Sequence, residues 1–274
     1  MALCSSVVWG TSDFIGGLLS RRLPSYVVVA LSQAAGLAAV TVVVLVTGDF
    51  ANGHAWLPWA VLAGITGAFG LITFYTALAA GTMGVVSPIA ALGVLVPVAV
   101  GLLRGDSPSS VTSIGVVVAL AGAVAASGPE LRGGVGTRAV TLAVLAGLGF
   151  GTSMVFLARG AEESALMSLW GMRATSVTGL GIGILFLLAR GRRYPVRARH
   201  VAPLVLCGLG DAGANLLFSL ASLRGYISVV SVLASLYPVM TVLLARVFLH
   251  ERLMRVQQVG VVAALAGVVL VSAG

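Results

Sequence analysis

Three ionisable residues stand where apolar ones would be expected. Asp13, Arg173 and Asp211 each lie well inside a long hydrophobic run. At the centre of a membrane span such a residue costs about 2.5–3.5 kcal/mol on insertion scales and marks a pathway, a relay or an ion pair. Asp211 has company: Asp211, Asn215, Phe218 and Ser222 recur at i, i+4, i+7 and i+11, one stripe of a helix. An acid, an amide and an aromatic on one stripe combine polar anchors with an apolar wall, which is how small-molecule pockets are lined. Trp9 and Asp13, four apart, repeat the arrangement near the N-terminus. The chemistry open to these residues is ligand binding and proton exchange.

Around Asp211 the letters also spell G-x-G-x-x-G at Gly208, Gly210 and Gly213. A dinucleotide turn must follow a strand and open a helix, with an acid about 20 residues on. Here the glycines lie inside an apolar run and Leu233 stands at the acid's place, in a chain with 36 glycines. In a membrane helix glycines let backbones approach closely, and Gly64, Gly67 and Gly70 are read the same way.

Other chemistry is excluded by what the sequence lacks. It contains no H-E-x-x-H, no G-x-S-x-G, no G-x-x-x-x-G-K-[ST] and no lysine, so neither an enzyme nor an ATPase is expected, and no cofactor. His54, His200 and His250 fall near different helix ends, and Cys4 and Cys207 lack C-x-x-C spacing, so no metal site or disulfide framework is expected. Asp106, in "RGD" (104–106), and Glu251 read as loop or helix-cap residues.

The elements that must position Asp13, Arg173 and Asp211 follow from composition. The 274 residues are 59% hydrophobic and 9% charged, against about 25% charged for soluble domains. A span needs about 20 mostly apolar residues. The chain divides into ten such stretches: 2–20, 26–47, 56–80, 84–103, 110–127, 139–158, 164–189, 201–223, 226–249 and 254–273. The expected class is an all-α polytopic membrane protein. The first stretch lacks a basic flank and carries Asp13, so it reads as a retained span and not a signal peptide. The net charge is +8 and all sixteen basic residues are arginine. They sit mainly at span ends, where lipid headgroups meet them, so membrane lipids are expected partners and nucleic acid is not. By the positive-inside rule their bias, with "RGRRYPVRAR" (190–199) after an odd-numbered span, puts both termini outside.

The two halves repeat. "ALAAGTMGVVS" (77–87) lies over "ASLRGYISVVS" (221–231), "GVVVALAGAV" (115–124) over "GVVAALAGVV" (260–269), and "WGTS" (9–12) over "FGTS" (150–153). In these registers Asp13 lies over Met154 and Asp211 over Gly67, so neither acid is duplicated, and a shift of one residue from the WGTS register sets Gln33 opposite Arg173. Five spans is odd, so the second copy enters from the opposite side. The expected fold is ten transmembrane helices as two inverted five-helix repeats, 1–128 and 138–274, related by a twofold axis in the membrane plane.

"SLYPVMTVLLARVFLHERLMRVQQVGVVAALAGVVLVSAG" (235–274) resembles the last two helices of the EamA-type branch of the drug/metabolite transporter superfamily. Pro238, Glu251, Gly260 and Gly267 occupy the places of that pattern, and Trp9, Gly10 and Arg173 also fit it. The first half departs from it: Gln33 stands where the family often has arginine, and Asp106 where it often has glutamate. The resemblance implies a ten-helix exporter of small metabolites with both termini in the cytoplasm, the reverse of the arginine count.

The expected function is therefore secondary active transport of a small polar or amphipathic metabolite, amino-acid-like, by alternating access and with a coupling proton, in the cell membrane, as monomer or homodimer. The expected substrate-binding residues are Trp9, Asp13, Gln33, Phe74, Tyr75, Arg173, Asp211, Asn215 and Phe218. Arg173 would balance charge or hold a substrate carboxylate. Pro97 and Pro238, each removing a helical hydrogen bond, are the expected hinges. Two alternatives stay open: a lipid or lipid-linked sugar translocase, and a scaffold in which Arg173 merely pairs with an acid.

Overall fold

The computed structural model describes residues 1–50, 53–81, 83–127, 137–249 and 255–273, and every regular element among them is helical. The helices are α1 (Ala2–Ser20), α2 (Ser25–Thr47), α3 (Leu57–Ala80), α4 (Met83–Ala91), α5 (Leu95–Leu103), α6 (Ser110–Ser127), α7 (Thr137–Ala189), α8 (Ala198–Ser222), α9 (Ile227–Ala234), α10 (Tyr237–Leu249) and α11 (Arg255–Ala273). Five of them, α1, α2, α3, α7 and α8, are long and apolar enough to cross a membrane. Burial is inverted relative to a protein in water: Val46 is 81% exposed and Leu103 88%, while Arg173 is 1% exposed. Lipid as solvent accounts for this. It solvates apolar side chains but no backbone polar group, so a spanning segment bonds its own backbone as a helix.

The helical runs differ from the expected spans at three places, each with a local cause. Residues 84–103 do not form one helix: a 3₁₀ turn, Leu92–Val94, separates α4 from α5. Residues 226–249 likewise split between α9 and α10. A proline ring occupies the space of the carbonyl four residues back. For Pro97 that carbonyl belongs to Gly93, in the 3₁₀ turn, and for Pro238 to Ala234, the last residue of α9. Both prolines therefore stand in the first turn of a new helix, just past a break, rather than inside a continuous rod.

The third difference is α7, where a loop was expected after residue 158. Its 53 residues would run about 80 Å at 1.5 Å each, far beyond a hydrocarbon core of about 30 Å. One residue breaks it: Ser164 is extended, φ −161° and ψ 113°. Its Oγ accepts the Met167 N–H at 3.2 Å, capping the second arm as a serine N-cap does. The arms, 137–163 and 165–189, turn back on each other, with Gly160 against Ser168. Both flank α3, whose Gly70 and Gly67 face Phe150 and Ser153 of the first arm and whose Gly64 faces Met172 and Thr175 of the second.

Asp106 is a cap, as expected, but of a distant helix: its Oδ2 accepts the Ser228 N–H at 3.1 Å and the Ser228 Oγ–H at 2.7 Å, at the start of α9. Glu251 and His250 lie outside the described residues.

The glycines around Asp211 set how closely α8 meets its neighbours. A Cβ on Gly208 would collide with the Ser32 carbonyl of α2, and one on Gly210 with the Ser12 hydroxyl of α1. Gly213 has nothing within 4 Å, so the expected close approach does not occur there. Gly208→Val is expected to wedge α2 from α8 and cost about 1–3 kcal/mol, the usual penalty of overpacking. Gly213→Val should stay within about 0.5 kcal/mol of the parent. Thermal unfolding of the two purified variants in detergent measures the difference.

Candidate functional site

Asp211 is the hub of a buried polar cluster. Its Oδ1 accepts the indole N–H of Trp9 at 3.0 Å and the amide of Asn215 at 3.1 Å. Its Oδ2 accepts the Gln33 amide at 3.0 Å and the Arg173 guanidinium at 2.6 Å. A carboxylate offers about four lone-pair sites, so these four donors use its whole capacity. The Arg173 contact is also an ion pair.

Arg173 Nη1 additionally donates to Gln33 Oε1, which takes a second donor from Ser176 Oγ at 3.1 Å. α1, α2, α7 and α8 are thus tied together through one carboxylate. The helical spacing explains the local part of the cluster. Asn215, one turn beyond Asp211, also bonds the Asp211 carbonyl at 2.7 Å, and Ser176, one turn beyond Arg173, bonds the Arg173 carbonyl at 3.0 Å. The Nε and Nη2 of Arg173 have no hydrogen-bond partner among the described residues.

Beside the cluster lies a cavity of about 60 Å³, room for about four water-sized groups. α1 contributes Trp9 and Asp13, α8 contributes Asp211 and Asn215, and α3 contributes Gly67 and Leu71. Phe150, Gly151 and Met154 come from the first arm of α7 and Met172 from the second. Ala90, Ala91, Val94, Ser235 and Tyr237 close it from the broken helices. The hydroxyls of Ser153 and Ser235, both on the wall, are spent on the carbonyls of Ala63 and Val232. Tyr237 Oη is buried and has no partner among the described residues.

Asp13 is placed differently from Asp211. It accepts only Tyr75 Oη, at 3.4 Å, and among the described residues it forms no ion pair. Tyr75 also meets Cys207 Sγ at 3.6 Å, and its ring fills the space that a Cβ on Gly16 would take.

Of the residues expected from sequence, Trp9, Asp13, Asp211 and Asn215 line the cavity. Gln33 and Arg173 do not; they sit behind the wall and hold Asp211. Phe218 packs behind Trp9, ring centroids 5.9 Å apart. Phe74 and Tyr75 are also a layer back, with Phe74 edge-on to the lining rings of Phe150 at 5.4 Å and Tyr237 at 6.3 Å. Sequence reasoning missed Tyr237, Phe150, Met172 and Ser176. Phe150 had a signal, since it matches Trp9 in the repeat. Tyr237 had a weaker one, as the residue before Pro238.

The model of the EamA-like transporter family matches residues 137–273. No curated protein matches the chain. A solved structure described only as "Crystal structure of protein" superposes with a TM-score of 0.77 at 19% identity, over 98% of this chain and 94% of that one. At that identity the likeness speaks for the fold alone. With half of its length fitting the family model and its apolar helices wrapped around buried charge, this multi-pass membrane protein belongs to the EamA-like transporter family of the drug/metabolite transporter superfamily.

Proposed function

We propose that the chain is a secondary active exporter of a small polar or amphipathic metabolite in the cell membrane. It works by alternating access across ten crossings arranged as two inverted repeats, 1–128 and 138–274. The observation that carries this reading is how the cavity is lined. In the registers that lay "WGTS" over "FGTS" and Ala77 over Ala221, its wall contains matched pairs: Trp9 with Phe150, Asp13 with Met154, Gly67 with Asp211, Leu71 with Asn215, Ala91 with Ser235. A cavity bounded by equivalent positions of both copies is what a twofold axis through it would produce, and transporters of inverted repeats bind substrate there.

Three contacts support the same axis. Gln33 and Arg173, equivalents in the repeat, touch each other, as residues near a twofold do. Gly122 packs on Ala264 while its equivalent Gly267 packs on Ala119, the reciprocal pattern of a twofold interface. Gly64 meets Met172 while its equivalent Gly208 meets Ser32, two positions likewise matched by the register that pairs Gln33 with Arg173. The ten crossings comprise α1, α2, α3, α4 with α5, α6, the two arms of α7, α8, α9 with α10, and α11. The breaks before Pro97 and Pro238 adjoin the wall at Val94 and Tyr237, and in this reading they bend as the halves rock.

Within the cavity Trp9, Asp13, Asn215 and Tyr237 contact the ligand, while Asp211 holds Trp9 and Asn215 in place. Coupling to a proton runs through Asp13, because Asp211 is already engaged by Arg173 and three further donors. The Arg173–Asp211 pair also favours a second reading, a scaffold whose polar residues only join helices. Flux decides between them. Proteoliposomes containing this chain alone are expected to accumulate solute against its gradient when a proton gradient is imposed, and Asp13→Asn should lose most of that accumulation. Absence of flux for every solute in a screen of amino acids, amines, sugars and nucleosides would leave the scaffold.

The cluster makes a separate prediction. Asp211→Leu strands a buried guanidinium and is expected to cost about 3–5 kcal/mol, whereas the pair Arg173→Met with Asp211→Leu should recover most of the loss. The fraction of folded, monodisperse protein in detergent reads both.

A further inference from the structure

The charges facing the cavity do not balance. Asp211 has its four acceptor sites filled, and Arg173 cancels its charge. Asp13, on the same wall, has one long hydrogen bond and no cation beside it among the described residues. A buried carboxylate is stable only if it carries a proton or faces a cation. Near it Tyr237 Oη, in a residue 5% exposed, has no partner among the described residues. The remaining wall includes the rings of Trp9 and Phe150 and the thioethers of Met154 and Met172. Arg173 does not reach this surface, so among the described residues no fixed cation is there to receive a ligand's carboxylate.

We infer that the cavity selects a small organic monocation, an alkylammonium whose charge faces Asp13 and whose carbons lie against Trp9 and Phe150, and rejects zwitterionic amino acids. This deepens the transporter reading, and it rests on that reading for treating the cavity as a ligand site. The aromatic faces add to the attraction, since a desolvated ammonium over a ring gains from the quadrupole. A bare metal ion fits poorly: hard cations take about six oxygen ligands, and most hydroxyls on this wall are already spent on carbonyls. Room for about four water-sized groups is the scale of a small alkylammonium.

The test is thermal unfolding of the full chain in detergent at neutral pH and constant ionic strength, titrated with n-butylammonium, butan-1-ol, 4-aminobutanoate or sodium chloride. The expected result is a saturable rise in Tm with n-butylammonium alone. Asp13→Asn should weaken that binding about thirtyfold or more, as loss of one partner of a desolvated charge pair does. Equal stabilisation by butan-1-ol, or tighter binding of 4-aminobutanoate, would overturn the inference. If Asp13→Asn does not fold, the comparison of the three ligands on the unaltered protein decides alone. Saturable ammonium binding without flux of any solute sinks the transport reading and leaves this one, while flux of a zwitterion without ammonium binding does the reverse.

Discussion

A guanidinium buried in an apolar bundle constrains everything around it. Removing Arg173 from water carries a desolvation penalty of several kcal/mol, repaid only by close, well-aimed acceptors. The chain supplies Asp211 and Gln33 from two different helices. Both acceptors meet a single nitrogen, Nη1, and arginine suits this place better than lysine because a buried lysine sheds its charge readily. The cost of misalignment is high in a low dielectric, so α2, the second arm of α7 and α8 have little freedom to slide. Trp9 extends the constraint to α1 by donating to the same carboxylate.

That lock and the cavity lie side by side, and the difference between them is a matter of acceptor capacity. Both acids look alike in sequence: each is single, each sits in an apolar run, and neither is duplicated in the other half. Asp211 receives four donors and Asp13 receives one. The first acid is thereby structural in its chemistry although it touches the cavity, and the second keeps capacity that the protein itself does not use. In matched positions the other half offers Met154 and Gly67, which carry no charge to compensate either acid.

Much of this was legible in the sequence, for reasons that also explain what was not. Long apolar runs fix where helices form, and periodicity put Asp211 and Asn215 on one face, where the wall has them. Gln33 was found because the repeat set it opposite Arg173 and because it stands where the resembled family often has arginine. Phe218 shares the stripe of Asp211 yet faces Trp9 from behind, because a stripe records direction around one helix and not which neighbour stands there. Arg173 was expected at the ligand and lies behind the wall for the same reason. Ser164 follows two glutamates in what reads as a loop. Its extended backbone and its capping bond to Met167 show that a single residue makes the turn. Partners across helices depend on packing distances of a few ångströms, which glycine positions suggest but do not specify: Gly208 meets α2, and Gly213, five residues on, meets nothing.

The placement of the irregular backbone connects fold to site. At membrane depth, non-helical backbone is tolerated only where it is buried in protein or lines a cavity, because lipid offers its polar groups no partner. The 3₁₀ turn between α4 and α5 and the break between α9 and α10 obey this rule: Val94 and Ser235 sit beside those interruptions and on the cavity wall. The first is pinned from outside by glycine contact, Gly93 against Gly147 and Gly151 of α7. The second is packed against α1, whose Gly10 meets the Tyr237 carbonyl and Met240. Each break is therefore held by a different element than the one it interrupts. A shift of α7 or of α1 would be delivered to the cavity wall at these two interruptions.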